Sequence, residues 1–281
     1  MSPSRPSLWD TTTCPYVGIL ALQPLPGSPG YQGDPERVRV ALLRDAESFV
    51  ENGISALLLV NRGDVPFSPR QVAAVTTAWI TRLAGDVRRR FDLPLGIQVL
   101  WNDGRSALAV AHAVGASFIR VNLLRGTRAP GEECVSGHAY RLLRDRAQLG
   151  AEDVAILADL PLAYAHAPSH AVGEDSRPLA EATTALLQFA GADGVIIADH
   201  SFSEGRAPSM GEVEEVRSAA GDFPVLIGSG VSAETISRLR PIAEGFLLGV
   251  TIRRDGLWTN PVDPARVREF TSLPTSDDQR S

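Results

Sequence analysis

The chain alternates between two hydrophobic periods from end to end. Short β-rich runs recur at 17–22 (VGILAL), 56–61 (ALLLVN), 95–102 (LGIQVLWN), 118–124 (FIRVNLL), 154–160 (VAILADL), 194–199 (GVIIAD), 224–230 (PVLIGSG) and 245–251 (GFLLGVT). Most are near-continuous apolar stretches, the pattern of parallel strands covered on both faces. Segments with helical spacing fill the gaps, at 34–53, 68–90, 105–115, 135–150, 176–191, 209–221, 232–240 and 263–272. The first opens on Asp34-Pro35, ends at Gly53 and sets Val38, Leu42, Ala46, Phe49 and Val50 on one face, as an amphipathic helix requires. Eight strand-then-helix units in series, with right-handed crossovers, predict an α/β protein of one domain, a (β/α)8 TIM barrel over 16–272. Residues 1–15 are expected to form an N-terminal extension and 273–281 a loose tail.

In such a barrel the chemistry gathers at the carboxyl ends of the strands, and polar residues collect there. Strand one runs into Gln23, strand two into Asn61 and Asp64, strand three into Asn102 and Asp103; strand four carries Arg120 and Asn122, strand five ends at Asp159, and strand six at Asp199 and His200. Turns and helix caps use the same residue types, so Asp103, just ahead of a helix, is either a cap or an acid. Asp159 follows AILA and precedes LPLA; apolar surroundings there are expected to raise its pKa into a useful acid/base range. Asp159 and Asp103 are therefore the leading acid/base pair, with Asp199 and His200 beside them.

The last two strands point to a phosphate. Gly228, Ser229 and Gly230 follow strand seven and open a helix, and Gly249, Val250 and Thr251 follow strand eight; loops seven and eight of barrels commonly offer backbone N–H groups and a helix N-terminus to a dianion. Arg253 adds charge there if it turns inward. His166, His170 and His200 lie just past strands five and six, where a proton shuttle or a metal ligand is conceivable, but no spacing specifies a metal site, and no cofactor is implied.

Composition narrows the chemistry further. All 27 residues of the Lys+Arg count are Arg, which removes Schiff-base lysines and the lysine of a phosphate-cradling P-loop. A net charge of −6 argues against nucleic acid as a partner. Two cysteines, Cys14 and Cys134, are too few for a disulfide framework. No run approaches the roughly 18 apolar residues of a membrane span, and the N-terminus has no signal-peptide core, so a cytoplasmic location is expected. Trp79, Trp101, Trp258 and the apolar helix faces either bury within one subunit or leave a homo-oligomer open.

Over nearly its whole length the chain resembles the BtpA/SgcQ family of (β/α) barrel proteins, through LQPLPGSPGY, NRGDVPF, LGIQVLWND, FIRVNLLRG, LADL, VLIGSGV and LGVTIRRDG. The resemblance implies a barrel whose members are linked to photosystem biogenesis and to sugar-utilisation gene groups. Two positions depart from the family pattern. Val60 stands where members typically carry Glu before Asn, and the Lys-His pair after strand five is replaced by Ala163 with Tyr164, or by Ala165 with His166. The leading expectation is an enzyme acting on a phosphorylated sugar or sugar-derived metabolite by isomerase-, epimerase- or lyase-type proton transfer, with Asn61, Asn102, Asn122 and Arg120 orienting hydroxyls. The alternatives are glycosidic-bond chemistry on a nucleoside or sugar phosphate, and a binding or assembly factor that keeps the barrel as a scaffold.

Overall fold

A computed structural model describes residues 14–128, 135–162, 178–199 and 205–273. Eight parallel strands close into a barrel: β1 (Tyr16–Ala21), β2 (Ala56–Val60), β3 (Leu95–Gln98), β4 (Phe118–Val121), β5 (Ala155–Pro161), β6 (Gly194–Ala198), β7 (Val225–Ile227) and β8 (Phe246–Leu248). Each pairs with the next in sequence, and β8 returns to β1 through Tyr16↔Phe246 and Val17↔Leu247. The helices are α1 (Pro35–Glu51), α2 (Ala74–Arg90), α3 (Gly104–Val114), α4 (Ala139–Leu149), α5 (Leu179–Thr184, continued by a π turn Ala185–Phe189), α6 (Met210–Ala220), α7 (Ala233–Leu239) and α8 (Pro264–Thr271). No helix among the described residues is long and apolar enough to cross a membrane.

The element order is the one the periodicity predicts; the ends differ where side chains intervene. Helix α2 starts at Ala74 rather than 68, because Ser68 is held in a turn by Gln71 and accepts the Trp101 N–H at its carbonyl, at 3.2 Å in each case. A two-stranded ribbon, Thr127–Arg128 with Val135–Ser136, occupies the start expected for α4. Strand β3 ends at Gln98 and β8 at Leu248, so Asn102 and Thr251 lie in loops.

Two apolar layers hold this together. Outward-facing residues such as Leu57, Leu59, Ile119, Ile156 and Ile197 pack against Leu42, Phe49, Ile80, Leu83, Val213 and Ile236 of the helices. Inward-facing residues, among them Ile19, Leu58, Phe118, Leu157, Ile196, Leu226 and Leu247, fill the axis. Phe118 needs a glycine opposite: a Cβ on Gly96 would lie 2.2 Å from its ring. The two-residue period then decides what stands above that floor. Two positions beyond Gly96, Phe118 and Leu157, on the same inner faces, come Gln98, Arg120 and Asp159. The barrel is apolar at its base and polar at the carboxyl ends of its strands.

Candidate active site at the barrel mouth

A cavity of about 170 Å³ opens at that polar end. Arg120, Asn122, Asp199, Gly228, Ser229, Gly230, Gly249, Val250 and Thr251 all line it, so segments far apart in the chain meet around one opening. Arg62, Phe67, Gln98, Trp101 and Trp258, none of them expected as ligands from the sequence, share the wall with apolar residues such as Ile19, Val60 and Leu247.

Asp159 stands just behind this surface. Its carboxylate takes both donors of a fork from Arg120, Nε at 2.8 Å and Nη2 at 2.9 Å, and its side chain is fully shielded while that of Arg120 is 10% exposed. The expectation that apolar burial alone governs this acid therefore gives way to an ion pair, in which Asp159 aims a guanidinium into the cavity. Gln98 donates to the Asn122 side-chain oxygen next to it, which fixes the polar wall on β3 and β4.

Asp103 is a cap. It is 5% exposed, and its two oxygens accept from the Ser106 N–H (3.0 Å), the Ser106 hydroxyl (2.6 Å) and the Val72 N–H (2.9 Å). With its acceptors spent on the start of α3 and the loop before α2, it does not face the mouth, and the acid/base pairing of Asp103 with Asp159 does not form. Asn102 beside it brackets Leu123, giving a hydrogen bond to its carbonyl and taking one from its N–H, both at 2.8 Å. Asn61 and Asp64 are likewise architectural: Asn61 accepts from the Leu100 N–H (2.7 Å) and donates to Asp64 (3.2 Å), while Asp64 accepts from the Leu25 N–H (2.8 Å). Burial pushes the Asp64 carboxyl up, and its two donors pull it partly back. Gln23 lines a different cavity. His166, His170 and His200 lie outside the described residues; among those described, no three His, Cys, Asp or Glu side chains come together as metal ligands.

The rim after β7 and β8, where the sequence suggested a phosphate cradle, is built from loops rather than from a helix end. Ser232 caps α7 itself, accepting the Thr235 N–H at 3.1 Å. The Ser229 hydroxyl ties the barrel end together, accepting the Asp199 N–H at 2.8 Å and donating to the Arg206 carbonyl at 3.2 Å. Gly230 is glycine because the next loop passes over it: φ is +61° and a Cβ would sit 2.2 Å from the Ala207 nitrogen. Arg253 turns away from this rim; it is 2% exposed and pairs with Asp45 of α1 at 3.0 Å.

Arg62 takes the place expected for Arg253. It is half-buried, lies over the Trp258 ring at 5.0 Å from the centroid, and has no carboxylate within ion-pair distance among the described residues. Burial first, and then repulsion from Arg120, push its pKa down. The one signal for it in the sequence was its place directly after Asn61 at the end of β2.

The loop after β6 is anchored by charge. The Arg206 N–H bonds Asp199 Oδ2 at 2.9 Å, and its guanidinium meets both Glu212 oxygens at 2.8 and 2.6 Å. Glu212 also completes a capping box with Ser209. These contacts, the Arg206 hydrogen bond foremost, hold the Glu212 carboxyl down at about 2 against an ordinary value of 4.5. A depressed folded pKa means that the ionised group stabilises the fold fully above about 4.5, and that this contribution fades as pH falls towards about 2. Thermal melts of Glu212→Gln are expected to show a flatter acid limb in that window than the parent; parallel acid limbs would contradict the pairing.

The BtpA family model matches residues 12–275. The chain belongs to the BtpA family. It is 33% identical over 256 residues to the photosystem I biogenesis protein BtpA of Synechocystis, covering 91% of this chain and 86% of that one. An uncharacterized protein of Thermococcus kodakarensis is 35% identical over 259 residues, covering 92% and 94%. Among solved structures, N-(5'-phosphoribosyl)anthranilate isomerase from Pyrococcus furiosus superposes with a TM-score of 0.54 at 14% identity, over 95% of this chain and all of the other. A 3-hexulose-6-phosphate synthase gives 0.56 at 14%, over 92% and 98%. These likenesses establish the TIM-barrel fold. Within the BtpA family pattern, the position read as Glu is Val60 here, and Val60 lines the mouth; an apolar wall stands where the resemblance leads one to expect an acid.

Proposed function

We propose that the protein is an enzyme acting on a phosphorylated sugar or sugar-derived metabolite, with the phosphate at the loops after β7 and β8 and proton transfer carried out beside Arg120. The observation that carries this reading is Arg62, a half-buried cation with no carboxylate within ion-pair distance among the described residues, on the same small cavity as Gly228–Gly230 and Gly249–Thr251. A dianion there would supply the missing counter-charge in a site partly shut off from water, where such contacts are strong. Several structural neighbours carry phosphorylated compounds in their names, which fits the reading without assigning a reaction.

With Asp103 capping a helix and Asp159 holding Arg120, the carboxylate on the cavity wall among the described residues is Asp199. In the proposed step Asp199 takes the proton from the carbon next to a carbonyl while Arg120 meets the oxygen on which negative charge develops; Asp199 then gives the proton to the former carbonyl carbon, as the hydroxyl on the first carbon passes its own proton to the oxygen held by Arg120 and becomes the new carbonyl. Gln98 and Asn122 orient the hydroxyls. Hydrogen exchange from D2O into a panel of pentose and hexose phosphates, followed by NMR, tests this. Asp199→Asn is expected to lose exchange by about 10²- to 10⁴-fold while sugar-phosphate binding persists. Equal exchange in the variant removes Asp199 from the role.

The name of the Synechocystis relative and the apolar Val60 favour, as a second reading, an assembly factor that binds without turnover. Sugar phosphates that bind at the mouth with no exchange, no isomer and no released base would support it.

A further inference from the structure

The Arg62–Trp258 pair is a wall with two sides. Behind it lies a second cavity, about 350 Å³ against 170 Å³ for the mouth, between the loop after β1, the first half of α1 and the segment after β8. Four arginines line it, Arg37, Arg44, Arg62 and Arg253, against two acids, Asp34 and Asp45. Asp34 caps α1 through the Arg37 N–H at 3.0 Å, and Asp45 is shared between Arg44 and Arg253, at 3.0 Å each. Positive charge is thus in excess around this space.

Arg253 adds a second, independent observation. It is 2% exposed; Nη1 reaches Asp45 and the Asn260 carbonyl (2.8 Å), Nη2 reaches the Ile19 carbonyl (3.0 Å), and the Nε–H is buried with no acceptor. Leaving a buried donor without an acceptor is costly, and more so on a charged group. Arg253 also lines this cavity.

We propose that this side chamber binds a small anionic metabolite, carboxylate- or phosphate-bearing, whose oxygens are met by Arg253 and Arg62. Its binding does not depend on the mouth being a phosphate site. Because Arg62 lines both cavities, an anion in the chamber competes for it with one at the mouth. A charge-assisted hydrogen bond is stronger than the contact of a half-buried guanidinium with an aromatic face, so the side chain can leave Trp258 for either occupant.

Calorimetric titration of the full chain with inorganic phosphate, and separately with succinate, tests this. Ala41 on α1 and Thr259, exposed after β8, both line the chamber and not the mouth. Filling the space by Ala41→Phe or by Thr259→Phe is expected to weaken one binding event at least tenfold, and the titrant that shows it identifies the anion. Thr259 is at the surface, so its variant reads the chamber even if Ala41→Phe fails to fold. Anion binding unchanged by both fillings overturns the proposal, as does the lack of binding by either titrant. Binding that survives Arg120→Met but not the fillings leaves the chamber standing and the mouth reading without support.

Discussion

Asp159→Leu should lower the stability of the barrel by about 3–5 kcal/mol, a large share of the roughly 5–15 kcal/mol that separates a folded domain from its unfolded chain. The cause is the guanidinium left behind: Arg120 is 10% exposed and loses both of its carboxylate bonds. Arg120→Met should also destabilise, because a fully shielded carboxylate loses both of its guanidinium bonds. In the double variant Arg120→Met with Asp159→Leu, most of the loss should return, because apolar groups of similar volume replace a buried pair at little net cost. Urea midpoints for the four proteins measure this coupling. A double variant that folds as well as the parent but no longer binds sugar phosphates would show that the pair is kept for aiming Arg120 into the mouth. Strictly additive losses would mean that the pair does not act as a unit.

Arg62→Leu is expected to move in opposite directions in two assays. Binding of a sugar phosphate should weaken by roughly 10- to 100-fold, the loss of one or two charge-assisted contacts of about 1.5–3 kcal/mol. Stability should hold or rise, because burial and Arg120 both disfavour the cation at this position and leucine extends the apolar contact with Trp258. A residue that only packed against the indole would show the reverse, with stability falling and binding unaffected. Phosphate titrations and urea melts of the same preparation separate the two.

The barrel was legible because its signals are local and repeated. Eight apolar runs such as ALLLVN and GVIIAD, each followed by a segment with helical spacing, leave few topologies that close. The loops after β7 and β8 were legible for the same reason, since position in the repeat assigns them to the mouth. Partnership across the barrel was not. Arg120 and Asp159 are 39 residues apart, and neither segment announces that one side chain will fork onto the other; it follows only once β4 and β5 pair with Arg120 beside Leu157 and the two-residue period carries both to the inner face. Asp103 looked the same as an acid or as a cap until Val72 and Ser106 were seen to fill its lone pairs. Arg253 leaves the place expected of it because direction after a 3₁₀ turn is not written in composition: Val250–Ile252 carries the chain outward, and Arg253 finds Asp45 on α1.

The central claim is that a phosphate sits at the carboxyl ends of β7 and β8 opposite Arg62. A crystal structure of the protein soaked with ribose 5-phosphate tests it most directly. The account predicts the phosphoryl group within hydrogen-bond distance of Arg62 and of backbone N–H groups in 228–230 and 249–251, with the sugar directed at Arg120 and Asp199. A phosphoryl group bound elsewhere, with the mouth empty at saturating ligand, would contradict it.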